Sequence, residues 1–229
     1  MKALLLAAGL GTRLHPITIG IPKCLVEVRG QTMLSFWLNK LECSGLKEVF
    51  VNTHHYAEMV SGEIEKFSGN MQVHVRYEEI LLGTAGTLIK NANDLSDSDA
   101  LVIHCDNYSL IDLVEMFQFH RNRPIDIHVT MGVFKTKNVS GSGMVNFDAD
   151  NRLLEFIEKP VTSNLEWANA AVYIFDKEVL SQASQEYFNA FDIAKDLIPR
   201  LLNQIQVYRI NQLHMDMGTV EALNQLNSI

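Results

Sequence analysis

Apolar runs alternate along this chain with segments whose apolar residues recur every three or four positions, and that alternation sets the expected architecture. Runs at 2–7, 48–52, 71–77, 100–105 and 126–134 read as strands. Between them, 32–43, 56–66, 84–92 and 110–121 carry helical spacing; in the first, Leu34, Leu38 and Leu41 share one face. The pattern predicts βαβ units with right-handed crossovers. The expected fold is α/β and Rossmann-like, a mostly parallel mixed sheet with helices on both faces. The second half is less regular. Strands are expected near 143–147, 152–157, 169–175 and 205–210, with a helix near 192–203 and a last one from Thr219. The 229 residues hold no linker, internal repeat or low-complexity segment, so a single domain over 1–229 is expected, with halves of about 1–110 and 111–229.

Composition narrows the class. A hydrophobic fraction of 47% suits a globular protein, and no apolar run approaches bilayer length. Met1-Lys2-Ala3 leads straight into the first strand without a cleavage pattern, so a cytoplasmic protein with no membrane partner is expected. Cys24, Cys43 and Cys105 have neither metal-site spacing nor an even count, and reduced thiols are the default. The net charge of −8 argues against nucleic acid, which needs a basic face. It does not exclude a small anionic substrate. Distant surface charges are screened beyond about 8 Å. A cation about 4 Å from a phosphate gains on the order of 4 kcal/mol before desolvation, at an effective dielectric near 20.

The chemistry concentrates behind the first strand. Gly9-Leu10-Gly11-Thr12-Arg13-Leu14-His15-Pro16 follows the apolar run Ala3–Ala8, and Pro22-Lys23-Cys24-Leu25 comes shortly after. Glycines let a backbone approach a ligand closely, and successive N–H groups in such a loop can nest phosphate oxygens. Arg13 and Lys23 add two cations, which points to a nucleoside triphosphate. A dinucleotide-binding turn needs glycine or alanine where Leu14 stands, and a P-loop needs Gly-Lys-Ser or Gly-Lys-Thr, which the chain lacks. Ligands of such sheets bind at the carboxyl ends of strands. Asp106 ends the strand of Leu101-Val102-Ile103 at that edge. Asp106 and Asp216 are candidates to share one metal, since magnesium takes one or two carboxylates plus phosphate oxygens and waters. The alternative is a turn or helix-cap role for Asp106 and a cap on the final helix for Asp216, with metal binding the favoured reading of both. His54-His55 reads as a loop or cap, because adjacent histidines do not share a helix face and no third ligand is near. Phe36 and Trp37 read as core.

These residues resemble the signature of the sugar nucleotidyltransferases, or NDP-sugar pyrophosphorylases: G-x-G-T-R-L-x-P-x-T followed by P-K-x-L, running here from Gly9 to Leu25 with Thr18 in its place. Many members append a β-helix, and ending at Ile229 resembles the minimal catalytic form. The resemblance implies Mg²⁺ at Asp106 and Asp216, with Cys105 where the family usually has glycine. It implies nucleotide contacts at Ala7, Gly9, Gly11 and Thr12 in the first half, and at Glu78, Gly83, Thr84 and Gly86 around the segment Leu82-Gly83-Thr84-Ala85-Gly86-Thr87. Sugar-phosphate contacts are implied in the second half, at Gly143, Glu158, Lys159 and Asn169. Glu158-Lys159-Pro160 matches the E-K-P motif, and the proline favours an extended backbone at Lys159. Asn169-Ala170-Ala171-Val172-Tyr173 matches N-x-G-x-Y, with Ala171 replacing the glycine.

The implied reaction joins an NTP to a sugar-1-phosphate, releasing pyrophosphate, as a step in nucleotide-sugar and polysaccharide biosynthesis. Arg13, Lys23 and Lys159 are the implied catalytic cations. Glu78-Glu79 with Leu-Gly-Thr-Ala-Gly is more similar to guanylyltransferases, which favours GTP with mannose- or heptose-type phosphates over uridylyl or thymidylyl transfer to a hexose phosphate. A phosphocholine cytidylyltransferase stays open through Asp106-Asn107-Tyr108, although Glu158-Lys159-Pro160 with Asn169 favours a sugar. A non-catalytic nucleotide-binding regulatory subunit stays open as another class, although it would be expected to have lost Arg13, Lys23 or an aspartate. A homo-oligomer is compatible with all of these readings.

Overall fold

The computed structural model describes residues 1–229 and has the expected α/β architecture around a mixed central sheet. The chain divides into two compact units. The first comprises Lys2–Leu81, Ile103–Leu110 and Leu213–Ile229; the second comprises Leu82–Val102 and Ile111–Gln212, together with Met1.

In the first unit, strands Lys2–Leu6, Glu48–Thr53 and Gln72–Tyr77 run parallel. Leu6 stands opposite Asn52, and Thr53 opposite Tyr77. Ala3, Leu4, Leu5, Val49 and Val51 are fully buried, the continuous apolar run that a strand covered on both faces requires. Helix Met33–Cys43 starts where the Thr32 hydroxyl accepts the Ser35 N–H at 3.1 Å. It buries Leu34, Trp37, Leu38 and Leu41, each worth about 1.5–3 kcal/mol of burial. Trp37 donates its indole N–H to the Asn107 carbonyl at 2.9 Å, and Phe36 stacks on Tyr108. The last helix, Val220–Ser228, is capped by Thr219, whose hydroxyl accepts the Ala222 N–H. A two-stranded ribbon, Asn107–Ser109 against His214–Asp216, was not expected; three residues a side are too short to leave an alternating pattern.

In the second unit, Trp167–Phe175 pairs antiparallel with Val129–Lys135 and with Gly143–Phe147, and Leu153–Glu158 pairs antiparallel with Gly143–Phe147. Ile205–Arg209 runs parallel to Val129–Lys135. The helix expected at 110–121 begins later, as Leu113–Arg121, because Asp112 caps it by accepting the Glu115 N–H at 2.9 Å. Helix Lys177–Glu186 was not expected: its buried apolar positions are only Val179, Leu180 and Ala183, and Asp176 starts it by accepting two N–H groups. The helix expected at 192–203 is broken into a π-helical turn Ile193–Leu197, an α-turn Ile198–Leu201 and a 3₁₀ turn Leu202–Gln204. Pro199 has no N–H to donate to the preceding turn, so a regular ladder cannot run through it.

Candidate active site

The glycine loop leaves strand Lys2–Leu6 with its geometry already constrained. The Ala7 N–H donates to Asn52 Oδ1 at 2.7 Å, and Ala7 is buried. Gly11 has φ +66°, and a Cβ there would lie 3.1 Å from both Lys23 Cβ and Thr18 Cγ2. That conformation and that spacing both call for glycine. A Cβ at Gly9 would meet nothing within 4 Å, so protein packing does not explain this glycine. Thr18, almost fully buried, donates its hydroxyl to the Gly11 carbonyl at 2.7 Å and ties the loop to the segment before Lys23. Thr12–Leu14 forms a 3₁₀ turn that buries Leu14 and leaves Thr12 and Arg13 exposed.

Four charged side chains of the first unit meet beside this loop. Lys23 Nζ donates to Asp106 Oδ2 and lies 3.9 Å from Asp216 Oδ1. Arg13 Nη2 lies 3.9 Å from Asp216 Oδ2. The ribbon explains the convergence. It sets Asp216 opposite Asn107, and the Met217 N–H donates to the Asp106 carbonyl at 3.0 Å, so the two aspartates become spatial neighbours. A cavity of about 200 Å³ is lined by Gly9, Gly11, Thr12, Arg13, Lys23, Asp106 and Gly218. The two carboxylates differ electrostatically. The Asp216 side chain is about half-exposed, yet the partial loss of water around it is the first cause that raises its pKa, and the negative charge of Asp106 adds to it, against the pull of Lys23 and Arg13. Burial also acts to raise Asp106, but the Lys23 ammonium, with His104 and hydrogen bonds, more than offsets it and holds Asp106 below the usual carboxylate range. Two carboxylate oxygens facing one cationic atom form a donor set that fits a hard divalent cation such as Mg²⁺.

Glu78 is only 2% exposed. Its Oε1 accepts Asn52 Nδ2 at 3.1 Å and its carbonyl bonds His54 Nδ1 at 2.8 Å. Asn52 therefore links Glu78 to the Ala7 N–H. Sequence reasoning missed Asn52, although an amide ending an apolar strand at the ligand edge is a readable signal. It also missed Gly218, where a Cβ would come 2.7 Å from Asp216 Oδ2 and 3.1 Å from Arg13 Nη2. His55 packs on Tyr56, and neither histidine of the pair belongs to a metal-ligand grouping.

The remaining candidates lie in the second unit. Gly143 stands opposite Glu158, and a Cβ there would meet Glu158 Oε2 at 2.7 Å, so the glycine makes room for that carboxylate. Lys159 Nζ lies 3.5 Å from Glu158 Oε1 on a half-exposed side chain. The extended backbone expected at Lys159 is not found: φ is +48°, at a bend just past the strand end, where its N–H donates to the Ser142 carbonyl beside the paired strand at 3.1 Å. Asn169 Nδ2 donates to Tyr173 Oη at 2.6 Å, and Asn169 Oδ1 accepts the Ala171 N–H at 2.9 Å. Ala171 has φ +51° inside the register shift between Asn169 and Tyr173, the conformation that favours glycine there.

Gly83, Thr84 and Gly86 open helix Gly83–Leu95, but much of their local chemistry is directed at the segment 190–193. A Cβ at Gly83 would lie 2.2 Å from the Phe191 carbonyl, and at Gly86 3.1 Å from Leu82 Cβ. Thr84 Oγ1 accepts the Ile193 N–H at 2.8 Å, and the Ala85 N–H donates to the Phe191 carbonyl at 3.0 Å. A separate grouping, His128, Asp176 and Glu178, also has metal-ligand spacing. Asp176 is committed there to the Glu178 and Val179 N–H groups, to His128 at 2.7 Å and to Arg123 at 3.4 Å. A capped helix with an ion pair accounts for that grouping.

Comparison with known proteins gives consistent kin. The mannose-1-phosphate guanylyltransferase of Mycobacterium tuberculosis is 28% identical over 226 residues, covering 96% of this chain and 62% of the relative. The UTP–glucose-1-phosphate uridylyltransferase of Synechocystis sp. is 30% identical over 232 residues, covering 92% and 58%. The chain thus spans 58% to 62% of the length of these two relatives. Among solved structures, HddC from Yersinia pseudotuberculosis complexed with GMP-PN superposes with a TM-score of 0.83 at 21% identity, over 99% of this chain and 98% of that one, and so shares the fold. The nucleotidyl transferase family model matches residues 2–229, and with the glycine loop and its charged cluster in view, the chain belongs to that family.

Proposed function

We propose that this protein transfers a nucleotidyl group from an NTP to a sugar-1-phosphate, releasing pyrophosphate, with GTP and a mannose- or heptose-type phosphate as the preferred pair. The observation that carries the reading is the meeting of Arg13, Lys23, Asp106 and Asp216 beside Gly9 and Gly11. The names of the relatives, guanylyl and uridylyl transferases of hexose-1-phosphates, support the reaction class, and the guanylyl name supports the base. A regulatory protein without catalysis would have no need to keep all four charged groups.

The sugar phosphate is already ionised at neutral pH, so its oxygen attacks the α-phosphorus in line without a general base. The residues then act by positioning and charge stabilisation. Gly9, Gly11 and Thr12 offer backbone N–H groups to the triphosphate. Arg13 steadies the leaving pyrophosphate with its rigid fork of donors. Lys23 balances charge growing at the α-phosphate. Lys159 binds the attacking phosphate, while Glu158 and Asn169 accept or donate hydrogen bonds at sugar hydroxyls. Gly143 leaves room for that contact, and the start of helix Gly83–Leu95 offers N–H groups to the base. Asp106 and Asp216 would hold Mg²⁺, which supplies shielding between the two anionic substrates. Buried Glu78 acts on the nucleotide through Asn52 and the Ala7 N–H. A reducing, cytoplasmic setting belongs to the proposal, with Cys24, Cys43 and Cys105 all free. No helix is long and apolar enough to cross a membrane.

The deciding experiment is a pyrophosphate-release screen of GTP, UTP, ATP and dTTP against mannose-, heptose- and glucose-1-phosphates, with CTP and phosphocholine as a further arm. Turnover with GTP and a mannose- or heptose-type phosphate supports the proposal. Exclusive use of UTP or dTTP overturns the substrate preference, turnover only with CTP and phosphocholine overturns the sugar, and no turnover in any arm overturns the reaction.

A further inference from the structure

Lys23 is too deeply set to be a surface lysine awaiting a ligand. Its side chain is 8% exposed, against 66% for Arg13. Its ammonium bonds Asp106 and faces Asp216, occupying the point on which the two carboxylates converge. Its Cβ lies close against Gly11, where an added Cβ would come within 3.1 Å of it, but the four-carbon stem beyond is flexible. The cavity beside it is bounded by Gly9, which has open space where a side chain would be. An ammonium and a divalent ion drawn to the same carboxylate pair lie within a few ångströms of each other, and their mutual repulsion opposes joint occupancy of that point.

We propose that Lys23 is a resident cation of the two-aspartate site, one that an incoming divalent ion displaces, so that metal occupancy and the availability of Lys23 for a phosphate are a single exchange. This rests on the reading of Asp106 and Asp216 as a metal pair. Before exchange, Lys23 neutralises two carboxylates that would otherwise repel each other. After exchange, the divalent ion takes over that role and the ammonium turns into the cavity toward triphosphate oxygens. Metal and nucleotide therefore bind with positive coupling that Lys23 carries. Arg13, reaching only Asp216 and mostly exposed, is not part of the exchange.

Calorimetric titration of the nucleotide-free protein with Mn²⁺, and separately with GTP in saturating Mn²⁺ and in EDTA, tests this. Lys23→Met removes the competing cation, so its Mn²⁺ affinity should rise about tenfold or more, while its GTP affinity in saturating Mn²⁺ falls about tenfold or more and the gain in GTP affinity on going from EDTA to Mn²⁺ shrinks. The opposite signs are the signature: a lysine that merely braced the fold would lower both affinities when replaced. Lys23→Gln, checked by circular dichroism, provides a second neutral variant if the methionine form does not fold, and Lys23→Arg should show no gain in Mn²⁺ affinity. Asp106→Asn separates the two levels. If it abolishes Mn²⁺ binding while Lys23→Met leaves that affinity unchanged or lower, the exchange is wrong and the metal pair stands. If Asp106→Asn binds Mn²⁺ as the unaltered protein does, the metal pair is wrong and the exchange falls with it.

Discussion

Asp216 stands opposite Asn107 across a ribbon of three residues a side, and this pairing brings a carboxylate from near the end of the chain to the tip of the strand that carries Asp106. The placement depends on the next turn. The Met217 N–H bonds the Asp106 carbonyl, and Gly218 leaves the space in which Asp216 and Arg13 approach each other.

Gly218→Ala tests that space. Its Cβ would fall 2.7 Å from Asp216 Oδ2 and 3.1 Å from Arg13 Nη2, so one of the two must move. A misplacement of about 1 Å near reacting groups can cost on the order of 10²-fold in rate. Turnover should drop by about 10- to 100-fold while the urea midpoint barely changes. Unaltered turnover would mean that the Arg13–Asp216 approach has no part in the reaction.

Arg13→Ala separates catalysis from folding more sharply, because the side chain is mostly exposed and its ion pair is with Asp216. Loss of one charge-stabilising contact typically costs about 10²–10³ in turnover. The same order is expected here, with the circular dichroism spectrum unchanged. Near-normal rates of pyrophosphate release from the purified variant would remove Arg13 from the mechanism.

Much of the layout was legible because parallel strands are written as unbroken apolar runs. The apolar run that holds Lys2–Leu6 ends at Ala8, just before the glycine loop, and the run that holds Ala100–His104 leads to Asp106. The strand that carries Asp216 was not legible, since three residues are too few to show a period. Helix Lys177–Glu186 was hidden because three apolar residues sufficed to bury it, with Asp176 supplying the start. The left-handed turn at Lys159 was hidden for the opposite reason. A local preference before proline pointed the wrong way, and a hydrogen bond to Ser142, distant in sequence, prevailed. The role of Thr84 was obscured likewise, since Ile193, the group its hydroxyl bonds, lies 109 residues away.

Ala171 offers a stability prediction independent of any substrate. Its φ of +51° lies in the left-handed region, which costs an L-residue with a side chain roughly 1–2 kcal/mol relative to right-handed backbone. Asn169 and Tyr173 hold it there. Glycine pays less in the folded state and more in the unfolded one, so Ala171→Gly should stabilise the protein by about 0.5–1 kcal/mol net. Urea denaturation reads this directly. A fall in midpoint would show that the methyl group contributes more through packing than the conformation costs.

The raised Asp216 carboxyl sets the pH dependence, and its sign follows from linkage. Burial first and Asp106 second make the folded protein hold the Asp216 proton more tightly than the unfolded chain does. An acid shifted upward favours the fold most when protonated, and that contribution is lost as pH rises through its folded pKa. At neutral pH the ionised Asp216 is therefore a cost to stability, retained for function. Asp216→Asn should raise the melting temperature at pH 7 and abolish Mn²⁺ binding and turnover together. The same shift orders the acid limb. As pH falls, Asp216 takes its proton before Asp106, whose own carboxyl is held low chiefly by Lys23 against its burial. Mn²⁺ affinity should fall with a midpoint above 3.8, the ordinary value for the aspartate carboxyl. A midpoint at or below it, or an Asp216→Asn protein that melts earlier than the parent at neutral pH, would mean that desolvation and Asp106 together do not raise the Asp216 carboxyl as described.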